Sequence, residues 1–505
     1  MPRLSSATVQ FPCVRSITPA KNSFQFTGVK GGQLNVASIL TDGTSPNSVE
    51  IGLLNPMEAN QSISSVMLSG NNTYSGGTTL NSGTLFVTNP GSLGTGGLTV
   101  QGYYNTTLAA SGAAVTLPND ILLNGSLSLG QTSNPNVLTL NGILSGTGYL
   151  DILSNAVLDG ANTYSGNIHI ENSNVTLGNA SALGTANVEL YNSSLTEGIT
   201  NPTITNLNGN YTGDTSSSVN LLPGSTLTLN TDSTYATYAA YYDGSINGDS
   251  ASKVIKIGVG VQELGGTSTY GGGTTVNAGV LVAGGIASLG SGGVTVANGA
   301  ELDVLNNIVL PNSLTLAPGA IVGGMGAFAP PGGVTISGGT TISPGSHYSS
   351  QYIGELSFTG NLTLGTGGIY DFNVGSVTGV AGTDYSTINV SGALTISATP
   401  ANPFQITVMS LSGGAPGALS TFNPLVPYTW TLVNAGSISG DGNPLDFQVN
   451  ASAFQNSLGG GSFSVSVSGD VLDLNFTPVP EPSTWVLMLA GAAALGTRLR
   501  KSKRS

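Results

Sequence analysis

Apolar and polar residues alternate along most of this chain, in short bursts broken by glycine and asparagine. The pattern is clearest in Leu68–Val100, LSGNNTYSGGTTLNSGTLFVTNPGSLGTGGLTV. It returns as Leu158–Leu190, LDGANTYSGNIHIENSNVTLGNASALGTANVEL, and as Leu264–Val296, LGGTSTYGGGTTVNAGVLVAGGIASLGSGGVTV. Each copy has a Leu six residues before a Tyr and a Leu-Gly pair 19 and 20 residues after it. These are Tyr74 with Leu93-Gly94, Tyr164 with Leu183-Gly184, and Tyr270 with Leu289-Gly290. A fixed spacing kept in three divergent copies marks a structural unit. The alternating pairs are Thr78/Leu80, Leu85/Val87 and Leu98/Val100, with Ile168/Ile170, Val175/Leu177 and Val188/Leu190, and Thr274/Val276, Leu281/Ala283 and Val294/Val296 at the same offsets. A period of two predicts strands with one buried face. The Asn-Ser-Gly, Asn-Pro-Gly and Gly-Thr-Gly-Gly stretches between them have turn chemistry.

Three short strands per copy suit one coil of a right-handed parallel β-helix, in which every coil buries its inward row on the next. Antiparallel hairpins in a sandwich are the alternative, and the shared register favours stacking. The predicted organisation is an atypical N-terminal segment at 1–33, a β-solenoid over 34–396, a small β module or cap over 397–477, and a terminal segment at 478–505. Residues 1–30 show no export signal, because Pro12, Arg15, Pro19 and Lys21 interrupt any apolar run.

Composition narrows the classes. The 505 residues include 74 Gly and are only 7% charged, with a mean hydropathy of +0.19. Such a chain can bury a core and has few helix-forming stretches. The net charge of −13 is unevenly spread. Arg3, Arg15, Lys21 and Lys30 open the chain, Arg498, Arg500, Lys501, Lys503 and Arg504 close it, and the body between them holds only Lys253 and Lys256 against all 24 acids. A body this negative is not a nucleic-acid partner. A lone cysteine, Cys13, excludes a disulfide framework.

Catalytic chemistry is sparse. Glu301 and Asp303 lie two apart on one predicted strand face, and Asp151 and Asp159 form another carboxylate pair. A glycosidase needs two such groups facing each other. The expectation for Glu301 and Asp303 is a solvated outer face, with Leu302 and Val304 inward. His169, between Ile168 and Ile170, should point out of the coil, and His347 should lie in a loop. No metal-ligand spacing appears, so no catalytic residue, metal or cofactor is expected. Tyr235, Tyr238, Tyr241 and Tyr242 cluster in an irregular stretch and read as a flank loop or a sugar-stacking surface.

The end of the chain joins Pro480, Glu481 and Pro482 to an apolar run, Trp485-Val486-Leu487-Met488-Leu489 through Leu495, and then to the basic tail. The twelve residues Trp485–Gly496 give a helix of about 18 Å, short of a ~30 Å hydrocarbon core. A single C-terminal hydrophobic helix is predicted, with its basic end on the cytoplasmic side.

Two resemblances follow from these residues. Asn72–Val87 and Asn162–Leu177, and more loosely Ser268–Ala283, resemble the autotransporter-associated β-strand repeat of exported bacterial surface proteins. The Pro480-Glu481-Pro482, helix and basic-tail order resembles the PEP-CTERM sorting signal. The second resemblance implies an exosortase-type processing enzyme as partner and an association with exopolysaccharide. It also implies an inner-membrane intermediate, then the outer surface or extracellular matrix of a Gram-negative-type bacterium. Autotransporters close with a membrane β-barrel; no room for one follows residue 397, so self-translocation is not expected. The function these features imply is structural and adhesive, with a carbohydrate-active β-helix enzyme acting on a neutral polysaccharide as the alternative.

Overall fold

The computed structural model describes residues 22–26, 32–52, 65–102, 106–131, 136–209, 216–236, 239–346, 351–440 and 442–479. Among them the chain is all-β, with no α-helix and two short 3-10 turns, Ser233–Tyr235 and Pro444–Asp446. No helix of the described residues is long and apolar enough to cross a membrane. The predicted terminal helix, Trp485 to Leu495, lies outside them. The chain divides into two compact units, Met1–Ala317 and Pro318–Ser505.

The first unit is built on parallel sheets whose strand order steps forward through the chain. A fourteen-stranded sheet runs from Gln33–Val36 to Leu314–Leu316, and along the chain its strands alternate with those of a six-stranded and then a seven-stranded sheet. Strands near in sequence alternate between sheets, so the chain leaves a sheet and returns to add the next parallel strand. This arrangement is consistent with a β-helix.

Register corrects the length of the unit. Within each copy the first and third strands are hydrogen-bonded neighbours: Thr78 faces Leu98, Ile168 faces Val188, and Thr274 faces Val294. The chain therefore comes back on itself every 20 residues, and a 33-residue copy spans more than one layer rather than one coil. Between the first two copies the layer lengthens: Leu98 faces Ile121 and Ile121 faces Leu144, 23 residues each. There a third strand per layer enters from the seven-stranded sheet, as Val115–Leu117, Leu138–Leu140 and Ala156–Leu158.

The inward rows are those the alternation marks. Leu85, Val175 and Leu281 are fully buried, as are Leu80, Ile170 and Val276. At roughly 1.5–3 kcal/mol for each large apolar side chain, these rows supply the main drive for one layer to settle on the next.

The repeat signature closes the layers. Tyr74, Tyr164 and Tyr270 are fully buried. Each tyrosine carbonyl accepts the backbone N–H just past the Leu-Gly pair one layer on: Thr95 at 2.9 Å, Thr185 at 2.8 Å and Ser291 at 3.0 Å. Gly94, Gly184 and Gly290 take φ of +65°, +58° and +65°. A Cβ there would stand 2.2–2.3 Å from the same tyrosine carbonyl oxygen, so the spacing of 20 is a packing requirement. The phenol hydroxyls find partners inside: Thr78 Oγ1 at 2.5 Å, the Gly148 and Asn167 carbonyls at 2.7 and 2.9 Å, and Thr274 Oγ1 at 2.7 Å.

The residue two before each tyrosine ties adjacent layers. Asn72 accepts from Leu40 N at 2.8 Å and donates to Ser92 O at 2.7 Å. Asn162 accepts from Leu144 N at 2.7 Å and donates to Ala182 O at 2.6 Å. In the third copy the Ser268 side chain makes only the backward contact among the described residues, accepting from Ile246 N at 3.2 Å. Leu-Pro-Asn recurs at 117–119 and 310–312. Asn119 and Asn312 each donate to two carbonyls of the preceding glycine corner, Gly94 and Gly96, and Gly290 and Gly292.

In the second unit parallel pairing continues through Ile369–Val374, Thr387–Ile396 and Phe404–Ser412. It then gives way to an antiparallel meander, in which Tyr428–Ser439 pairs with Val471–Thr477 and the latter with Ser462–Ser468. Strands of 397–477 are thus hydrogen-bonded to the strands before them. Phe422, Phe454, Phe463 and Phe476 pack with ring centroids 5.0–5.3 Å apart. Buried Trp430 donates to Ser376 O at 3.1 Å.

Two substitutions test the corner and the bridge. Gly184→Ala should cost about 2 kcal/mol or more, since a strained left-handed residue costs ~1–3 kcal/mol before any clash. A thermal melt unchanged from wild type would refute the corner argument. Asn162→Ala strands two buried backbone groups at ~1–3 kcal/mol each and should lower the melting temperature more than Ser268→Ala; the reverse order would refute the bridge.

Candidate functional site

Parallel register brings together residues that are far apart in sequence. On the outer face of the fourteen-stranded sheet, Tyr149, Asn167 and Asn187 stand opposite one another on successive strands. Two positions along, Asp151, His169, Glu189 and Asn208 form a second row. A bulge at Asn206, which takes φ +47°, shifts the register between Asn187 and Val188. Asn206 donates to Asn187 Oδ1 at 2.6 Å and accepts from Asp232 N at 3.0 Å. That contact steadies the turn carrying Tyr235. The result is a shallow groove of about 320 Å³ between Tyr149 and Tyr235.

His169 Nδ1 lies 2.9 Å from Asp151 Oδ1. The hydrogen bond to Asp151 raises the imidazole's pKa, against the opposing effect of burial, and the Asp151, Glu189 and Glu171 charges add to the rise. Burial and the same carboxylates push the Tyr149 phenol up. His169 points outward as predicted, but it is half-buried and paired rather than free in solvent. Asp151 and Asp159 are not brought together as a facing pair. Asp151 lies on Tyr149–Ile152 of the fourteen-stranded sheet, and Asp159 follows Ala156–Leu158 of the seven-stranded one.

Glu301 and Asp303 overturn the expectation of a solvated face. Both are buried, at 8% and 1% exposure, within the fully buried strand Glu301–Val304. Burial, and then the neighbouring Glu301 charge, hold the Asp303 carboxyl well above the usual carboxylate range. Lys256 is likewise inward-facing and fully buried. Its ammonium donates to the carbonyls of Ile257, Gly258 and Ala278 at 2.8, 2.9 and 3.2 Å, and burial pulls its pKa down to about 8. The alternation around it, with Val254 buried and Ile255 half-buried, was the signal for that orientation. No cluster of metal-ligating side chains occurs among the described residues. Pro480, Glu481, Pro482, the apolar run, the basic tail and His347 lie outside them.

Family profiles match three stretches. Residues 478–504 match the PEP-CTERM protein-sorting motif. This chain carries an exosortase sorting signal. Residues 65–87 and 254–283 match the passenger-associated-transport repeat, across the first and third tyrosine copies. The PEP-CTERM motif implies processing by an exosortase and export to the cell surface in Gram-negative-type bacteria. No curated protein and no solved structure matches the chain.

The buried carboxyl sets a pH dependence. A group whose folded pKa is raised contributes stability below its unfolded value, near 3.8 for Asp303, and loses it as pH rises through the folded value. Asp303→Asn should therefore flatten the fall in melting temperature between mildly acid and mildly alkaline buffer. A fall as steep as in wild type would place the titrating group elsewhere.

Proposed function

We propose that the protein is a non-catalytic structural component of the cell surface or extracellular matrix, a stiff right-handed β-solenoid that presents a polar flank for adhesion. The sorting motif at 478–504 is the observation that carries this reading. The transport repeats and the parallel layers support it. Export pauses at an inner-membrane intermediate held by Trp485 to Leu495. The basic tail, Arg498 to Arg504, stays on the cytoplasmic side while an exosortase-type enzyme recognises Pro480-Glu481-Pro482 and processes the segment. Exopolysaccharide is the surrounding partner.

The alternative, a carbohydrate-active enzyme working through Glu301 and Asp303, is disfavoured by their burial. Alanine at both positions should leave the protein without any change in neutral-glycan turnover. Turnover present in wild type and lost in the variant would reverse the assignment.

Deleting residues 480–505, or replacing Pro480-Glu481-Pro482 with alanines, should remove the protein from the cell surface. Sequencing the mature C-terminus of the wild type should find the tail gone. Unchanged display of the deletion variant would end the sorting assignment.

A further inference from the structure

The groove over Tyr149, His169 and Glu189 has the chemistry of a ligand site rather than of a packed flank. Its volume, about 320 Å³, lies at the lower bound of small-molecule sites. Tyr149 is 39% exposed at one wall. Tyr235 forms the other, its hydroxyl fixed by Asn208 Nδ2 at 3.0 Å. Such rings offer an apolar face with a polar tip.

Between the rings, an imidazole stands beside a carboxylate. His169 uses Nδ1 on Asp151, which leaves Nε2 directed away from that bond. The exposed Glu189 carboxylate has no hydrogen-bond partner among the described residues. The two side chains stand directly opposite on hydrogen-bonded strands, ~4.8 Å apart, a step comparable to the length of one pyranose ring. A carboxylate only accepts, while Nε2 donates from the charged imidazole and accepts on the neutral ring whose Nδ1–H is on Asp151. Vicinal hydroxyls, each able to do both, complete such a pair. Asp151, Glu171 and Glu189 make the surroundings negative, which opposes uronates and sulfated sugars.

We propose that this groove binds a neutral oligosaccharide, its ring faces against Tyr149 and Tyr235 and its hydroxyls between His169 and Glu189. The site deepens the adhesive reading and rests on it only for its setting. Binding is read on the purified chain, sorting on whole cells, so each can fail alone.

The test is a titration of the full chain with cellohexaose, mannohexaose, xylohexaose and, as the acidic probe, hexagalacturonate. At least one neutral hexasaccharide should bind with Kd on the order of 1 mM or tighter, and hexagalacturonate should bind at least roughly tenfold more weakly. Tyr149→Ala and Glu189→Ala should each weaken the neutral sugar roughly tenfold. Both sites are exposed, so circular dichroism and melting temperature should match wild type. Absence of binding by all three neutral sugars, equal binding of hexagalacturonate, or wild-type affinity in both variants would overturn the proposal.

Discussion

One close approach governs the repeats: a glycine with positive φ set against the carbonyl of a buried tyrosine one layer back. It fixes the layer at 20 residues, because only glycine fits there and only at that distance along the chain. Once the corner is fixed, the strands on either side are placed in register, and the alternating aliphatics fall into continuous inward rows. The tyrosine ring fills the space beneath the corner, and its hydroxyl is satisfied internally. The asparagine two residues earlier then joins the layer to its neighbours through otherwise unpaired backbone groups. Hydrophobic burial supplies the energy, and this corner supplies the register.

Much of this was legible in the residues. Alternation identified every inward pair of the three copies, because a period of two leaves no freedom about which side chains are covered. The conserved distance between tyrosine and Leu-Gly was visible too. Its meaning was not, since one-dimensional spacing does not say which strands become neighbours. Reading three strands as one coil assumed that each strand of a copy joins a different sheet. Hydrogen bonding instead places the first and third side by side.

The charged residues were the least legible. Alternation alone put Leu302 and Val304 inward and Glu301 and Asp303 in water, yet all four are buried. A period of two assigns faces; it does not say whether a face is covered. Lys256 follows the period faithfully and points inward, where three backbone carbonyls replace its water. The flank groove could not be read at all, because Tyr149, His169, Glu189 and Tyr235 become neighbours only through stacking.

The short return distance has a kinetic side. In the first unit strand partners run from 18 residues apart, as Leu138 and Ala156, to 32, as Gln33 and Ser65, so no strand pairing there requires the closure of a long loop. Closure entropy grows only slowly with loop length but must be met before any pairing is rewarded. A chain of this kind can nucleate wherever one layer forms and grow outward from it, so its folding time need not lengthen in step with its number of residues.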